Sequence, residues 1–189
     1  MAAASSLKNM TLCLTLVCLI CAAVVGVAYA VTKEPIDAAA QAKTTASIAR
    51  VLPEFSSVPQ EGSIRVGGAD YKYYKVDGAG YAIISATSGF GGLLTLMVGV
   101  AEDGTVHNTT VLSHSETPGL GAKCTSDERF ISQFQGFDPA AKTLAVRKDG
   151  GDLDAITAST ITSRAYALAV ANAVSVYRQL MNEGGQDNE

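Results

Sequence analysis

The chain has 189 residues, and its formal charge is −4. From Lys33 onward it carries 13 basic and 18 acidic residues, with no run of like charge. That balance excludes the basic face that nucleic acid requires.

The first thirty or so residues differ from the rest. Lys8 is the only charged side chain before Lys33, and the 24 residues from Asn9 to Thr32 carry no charge. As a helix they cover about 36 Å, against roughly 30 Å of hydrocarbon, so residues 1–32 are expected to hold a transmembrane helix over about 10–31. The rival is a cleaved signal peptide, for which Ala28-Tyr29-Ala30 offers a small-x-small site. Signal-peptide apolar cores run about 7–15 residues, shorter than this one, which favours a retained anchor. Lys8 and the α-amine place positive charge before the span, which favours an inner N-terminus and an outer domain. Cys13, Cys18 and Cys21 lie inside the apolar run, where Cys18 and Cys21, a lone CxxC, read as small lipid-facing or packing residues. Cys124 is alone in the remainder, so no internal disulfide is expected there. No Cys/His cluster has metal-ligand spacing, so no metal site is expected.

The remaining stretch of roughly 155 residues suits one domain. Residues 33–62 read as a helical connector, with a helix from Pro35 to Leu52 burying Ile36, Ala40, Ile48 and Leu52. Residues 63–183 read as the main domain. Tyr71–Val76 and Tyr81–Ala86 flank Asp77-Gly78-Ala79-Gly80, and Leu93–Ala101 and Thr105–Leu112 flank Glu102-Asp103-Gly104. Both patterns predict β-hairpins. Ser126–Gln135 reads as a short helix capped by Thr125 or Ser126, sharing Phe130, Ile131 and Phe134 on one side and ended by Gly136. Thr143–Arg147 is expected as a strand. Arg164–Met181 is strongly helical, with a wet stripe at Asn172, Ser175, Gln179 and Asn182. The polar tail 184–189 is expected to fray. The fold class is therefore α+β: an antiparallel sheet flanked by helices, after one N-terminal span.

Two segments could carry chemistry. His114-Ser115-Glu116-Thr117-Pro118-Gly119-Leu120-Gly121 ends a strand abruptly, and its glycines would let a ligand approach backbone N–H groups. On composition the favoured reading is an ordinary loop, and His114 reads as a hydrogen-bonded surface group. In Asp154-Ala155-Ile156-Thr157-Ala158-Ser159-Thr160-Ile161-Thr162-Ser163-Arg164, hydroxyl residues crowd a helix start. That is either a simple N-cap or a phosphate site, because free N–H groups and the helix dipole favour an anion there. Small side chains at Ala158 and Ser159 leave access to Thr160. A threonine hydroxyl needs activation to act as a nucleophile, and no base is evident in the sequence beside it.

The chain resembles the G subunit of the Rnf ion-translocating electron-transport complex, and the related C subunit of the sodium-translocating NADH:quinone reductase. The likeness is clearest over Gly89-Phe90-Gly91-Gly92, Leu96–Val100, Asp103-Gly104 and Leu112–Lys123. The family's flavinylation pattern is matched by Asp154, Thr157, Thr160 and Thr162, with Ala158 and Ser159 where it has glycine and alanine. Ala158 bears on whether the family's backbone turn survives. Ser159 adds a second hydroxyl beside the acceptor.

The resemblance implies an FMN-binding domain whose Thr160 carries FMN covalently as a phosphothreonyl diester. It implies FMN contacts from Glu116, Thr117, Gly119, Leu120, Gly121, Lys123, Thr157, Ala158, Ser159 and Thr162. It further implies an extracytoplasmic flavin transferase that uses FAD and magnesium, with AMP leaving. The implied role is an electron-carrying subunit of a ferredoxin:NAD type complex in the cell (inner) membrane. Such a protein need not have turnover alone, no catalytic residue is implied, and its domain lies on the periplasmic side among the other subunits. Alternatives are the C subunit of the reductase, a stand-alone flavinylated carrier, or a membrane-tethered binding module without cofactor.

Overall fold

The computed structural model describes residues 7–184, apart from the side chains at 7, 8, 34–41, 43 and 184. The expected fraying tail past Gly184 lies outside the described residues. The chain divides into two compact units, one up to Thr44 and one from Thr45 onward.

In the first unit, helix α1 begins at Leu7 and continues to Val51 in the second. The expected span and connector helix are one element. Its segment Asn9–Lys33 has a mean hydropathy of 2.7 and none of it is buried inside the molecule. Leu12, Leu14, Val17, Leu19, Ile20, Val25 and Tyr29 are all exposed and point in every direction about the axis, so the apolar surface runs round the whole helix. A helix apolar on every side needs an apolar solvent. Two of its hydroxyls are also satisfied within the helix: Thr15 Oγ1 donates to Thr11 O and Thr32 Oγ1 to Ala28 O, both at 2.8 Å. That is how a polar side chain is tolerated without water.

The second unit is built on five strands: β1 (Gln60–Val66), β2 (Ala69–Val76), β3 (Gly80–Ser88), β4 (Leu93–Val100) and β5 (Val106–Ser113). They form one antiparallel sheet in the order β1-β2-β3-β4-β5. Both expected hairpins are present. In the β4–β5 turn, Gly104 has φ +86, and Asp103 Oδ1 accepts from the Thr105 N–H at 2.8 Å. β1 has no counterpart among the expected strands, and it starts inside the segment read as a helical connector. Its exposed, mostly polar sequence gives little hydrophobic signal, although Gly67 and Gly68, with φ +59 and +85, form the tight turn into β2.

Alternation along β4 decides the layering. Leu94, Leu96, Val98 and Val100 face one core, together with Phe130, Phe134 and helix α3 (Thr160–Gly184). Met97 faces the other side and packs with Ile48, Val51 and Leu52 at the end of α1 and with Val76, Ala79 and Ala82. Of the expected buried face, Ile48 and Leu52 are thus buried; the side chains of Ile36 and Ala40 lie outside the described residues. Asn108 Nδ2 donates to Arg50 O at 2.9 Å and so satisfies one carbonyl of the α1 terminus.

Three local expectations need correction. The helix expected over Ser126–Gln135 is one turn, α2 (Glu128–Ile131), followed by a 3-10 turn over Ser132–Phe134. Its cap is Asp127, which accepts from the Arg129 N–H at 3.1 Å, rather than Thr125 or Ser126. Thr125 instead donates its hydroxyl to Ala122 O. Thr143–Arg147 forms no strand. Its one ladder contact is an isolated parallel bridge from Val146 to Leu153, and a 3-10 turn follows at Arg147–Asp149. The segment pairs with its own continuation, so it never reaches the sheet edge. Finally, α3 begins at Thr160, four residues before Arg164.

Gly99 is the contact point between β4 and the end of α1. A Cβ there would run into the Val51 carbonyl oxygen. Backbone cannot step aside as a flexible side chain can, so Gly99→Ala is expected to lower unfolding free energy by at least about 2 kcal/mol. Urea denaturation of the full chain in detergent checks this; an unchanged midpoint would mean that α1 does not press on β4 here.

Candidate functional site

Strand register brings three loops to one end of the sheet. Ser88 pairs with Leu93 across the β3–β4 turn, and Thr95 pairs with Ser113 at the end of β5. Thus the 89–92 loop and the loop after Ser113 emerge side by side. Helix α3 packs on β3 and β4 with its start at this same end, where buried Thr87 Oγ1 donates to Ala165 O at 2.8 Å. Further along α3, the Tyr177 hydroxyl donates to Glu102 O at 2.7 Å, which fixes the helix direction.

Glu116 joins these segments. It is 5% exposed. Its Oε1 accepts from the Phe90 N–H at 2.9 Å, and its Oε2 accepts from the Thr162 hydroxyl at 2.8 Å. The Glu116 N–H in turn donates to His114 Nδ1 at 3.2 Å, which gives His114 a structural partner. The carboxylate occupies space that side chains would need: a Cβ at Gly89 would meet Glu116 Oε1, and one at Gly121 would meet Glu116 Oε2 and Thr162 Oγ1. Both glycines are therefore required by contact. Between them, Thr117 O accepts from Leu120 N at 3.2 Å, closing a turn with Pro118 second and Gly119 third at φ +76.

The start of α3 is bent into place by Ala158, which has φ +62. A left-handed alanine costs about 1 kcal/mol, so the turn is made without the glycine that would suit it. Ser163 then closes the opening turn. Its hydroxyl donates to Ser159 O at 3.0 Å and accepts from Ile156 N at 2.9 Å. Ser163 N also donates to Ser159 O at 3.0 Å. The N–H groups of Thr160, Ile161 and Thr162 precede any intrahelical acceptor and sit at the positive end of the helix dipole.

A cavity of about 360 Å³ opens among these segments. Of the sequence-predicted residues, Glu116, Thr117, Leu120, Gly121, Ala158, Ser159, Thr160 and Thr162 line it. Gly119, Lys123 and Thr157 do not. Gly119 shapes the turn, and Thr157 and Lys123 are both exposed, Lys123 away from the cavity. Asp154 is outside too: it pairs with Arg147 Nε at 2.7 Å, and its backbone is clasped by the Gln133 amide. Phe90 and Ile161 also line the cavity, and neither is among the sequence-predicted contacts. They are 69% and 50% exposed, and Leu120 is 46% exposed, so the rim is apolar and open. An apolar residue between glycines in a loop is the available signal for Phe90.

The cavity has a polar floor and an apolar lip, which suits an amphipathic ligand with a planar apolar part and an anionic end. Among the described residues, Glu116 is the one carboxylate lining it, and both its oxygens are engaged. Cys124 is fully buried behind the loop. Burial, and then the nearby Glu116 carboxylate, push its thiol up to about 11, so it stays protonated and inert at neutral pH.

Residues 89–175 match the family model of the FMN-binding domain, a range that contains all three loops. The G subunit of the ion-translocating oxidoreductase complex of Vibrio cholerae is 44% identical over 100 residues. That match covers 50% of this chain and 47% of the relative, so here the chain spans about half of the relative's length. The same-named protein of Pseudoalteromonas atlantica is 32% identical over 187 residues, covering 88% of this chain and 86% of the relative. The G subunit of the proton-translocating ferredoxin:NAD(+) oxidoreductase complex of Clostridium ljungdahlii is 32% identical over 186 residues, covering 90% and 91%. Among solved structures, the C subunit of the Na(+)-translocating NADH-quinone reductase of Parabacteroides distasonis aligns with TM-score 0.44 and 26% identity over 57% of this chain and 61% of that one.

Removing the Glu116 side chain leaves Phe90 N–H and the Thr162 hydroxyl without acceptors. Glu116→Ala is expected to lower unfolding free energy by about 3 kcal/mol, and Thr162→Val by about 1–2 kcal/mol. Equal losses in chemical denaturation would show that the carboxylate does not tie the two segments.

Proposed function

Because the chain belongs to the family of G subunits of ion-translocating oxidoreductase complexes, we propose that it carries electrons in such a complex through FMN held at Thr160 by a phosphodiester bond. One observation carries this reading: Thr160 stands half-buried on the cavity, in the first turn of α3, among N–H groups that lack intrahelical acceptors. A phosphodiester there would keep its negative charge at the helix's positive end.

The residues present fit the group. Phe90, Leu120 and Ile161 offer apolar surface to a planar ring, and the opening turn of α3 offers donors to a phosphate. Glu116 holds the two walls together. Bound there, FMN supplies the redox chemistry. The chain supplies position, an apolar lip that limits water, and a fixed attachment point. Gly119, Lys123 and Thr157 would act around the site rather than on the cavity wall.

Thr160 is a substrate for a separate enzyme in this scheme. With both Glu116 oxygens engaged, no free base among the described residues lines the cavity. The activation comes from an extracytoplasmic transferase using FAD and magnesium. The Thr160 oxygen loses its proton and bonds to the FMN phosphorus as AMP departs. The tether explains itself physically, since an outward-facing, reversibly bound flavin would be lost with no free pool to replace it.

The apolar exterior of α1 supports membrane association, with lipid and the other members of the complex as partners. Lys8 ahead of the span supports an inner N-terminus and an extracytoplasmic FMN domain. In intact spheroplasts, added protease should digest the domain; full protection would reverse the orientation.

Protein isolated from cells that contain the transferase should be yellow, fluoresce in a denaturing gel and show a flavin adduct by intact mass. Thr160→Val should abolish the adduct. Absence of any adduct on the unsubstituted chain overturns the reading, and an adduct surviving Thr160→Val moves the acceptor to Ser159 or Thr157.

A further inference from the structure

The hydroxyls beside Thr160 in the opening turn of α3 differ in one respect. Thr162 donates to Glu116, and Ser163 bonds to Ser159 O and to Ile156 N. The Ser159 hydroxyl has no partner among the described residues, although the residue is 7% exposed and the oxygen is fully buried. The Ser159 backbone, by contrast, is fully used. Its N–H donates to Ile156 O at 3.0 Å, and its carbonyl receives both the N–H and the hydroxyl of Ser163. A buried hydroxyl without a partner is unfavourable, and native folds seldom keep one without use.

The residue that bears this orphan lines the cavity, next to the free N–H groups of a 25-residue helix. Helix terminus and hydroxyl donor together make an anion site, with charge-assisted hydrogen bonds as its strongest contacts. The competing anion, Glu116, has its oxygens occupied by Phe90 and Thr162.

We propose that Ser159 donates a hydrogen bond to the phosphoryl group of FMN before any bond forms at Thr160, so that the unmodified chain already distinguishes FMN from riboflavin. The proposal rests on the reading that this cavity takes FMN. It adds a recognition step in which Ser159 positions the phosphoryl group of the flavin that the transferase delivers, before the Thr160 bond forms; added FMN is the probe for that step. It also separates two hydroxyls that adjoin in sequence: the buried one recognises and the half-buried one is modified.

The test uses the full chain in detergent, made in cells lacking the transferase, and follows quenching of flavin fluorescence. FMN should bind at least about tenfold more tightly than riboflavin, and inorganic phosphate should compete with FMN alone. Ser159→Ala should weaken FMN about tenfold and leave riboflavin unchanged. Ser85→Ala, which removes the other buried unpartnered hydroxyl away from the cavity, should change neither. Equal affinity for FMN and riboflavin, no measurable FMN binding, or a Ser159→Ala loss shared by both ligands would each overturn the proposal. Covalent attachment is judged separately, by intact mass after exposure to the transferase. An adduct without reversible selectivity defeats only the role of Ser159; reversible selectivity without an adduct defeats only the linkage.

Discussion

A carboxylate withdrawn from water costs several kcal/mol unless its lone pairs are met by donors. Glu116 meets that condition with two groups from distant parts of the chain, the Phe90 N–H and the Thr162 hydroxyl. The rest of the site depends on this arrangement. The carboxylate must reach between the 89–92 loop and α3, and it can do so only because residues 89 and 121 have no Cβ. The sheet has to deliver both loops to one end, which the β3–β4 and β4–β5 registers do. The helix has to begin at that end, which Thr87 enforces by bonding Ala165.

Much of this is legible in the sequence, because period-2 alternation and turn glycines are local signals. Both hairpins, the apolar span and the long last helix follow from such patterns. The failures also have physical causes. β1 is an edge strand whose alternation is mostly polar, so its pairing is decided by the Gly67-Gly68 turn and by β2 rather than by its own hydrophobicity. Leu144 and Val146 carry the alternation of a strand, but Arg147 N bonds Leu153 O and Leu153 N bonds Ala145 O, so the segment closes on itself. Helix α3 starts earlier than its apolar periodicity indicates, because Thr160–Ser163 are poor helix formers by propensity. Tertiary bonds from Thr162 and Ser163 offset that deficit.

Within the candidate site, local pattern locates the segments without saying which residues face inward. Thr157 and Thr160 look equivalent as hydroxyls at a helix start. The left-handed turn at Ala158 separates them, leaving Thr157 exposed and placing Thr160 on the cavity. Lys123 shares a loop with Leu120 and Gly121, but the 3-10 turn over Gly121–Thr125 carries it away from the cavity wall. Phe90 presents the opposite difficulty: an exposed aromatic residue means little in a sequence until its neighbours form a cavity rim.

Two departures from good local chemistry sit side by side just before Thr160: a strained left-handed alanine and a buried hydroxyl with no partner among the described residues. Thr162 and Ser163, just beyond, have their hydroxyls bonded, so the strain is confined and the Glu116 network holds it in place. Neither of these bonds passes through the Thr160 side chain. The cavity is therefore built before Thr160 acquires anything, and a group joined there has no part of that network to displace. If FMN is joined at Thr160 as proposed, its encounter with the apolar lip would be intramolecular, so modest contacts from Phe90, Leu120 and Ile161 would suffice to hold it. Under the proposed attachment, strong pocket contacts would be unnecessary, in keeping with a rim as open as this one.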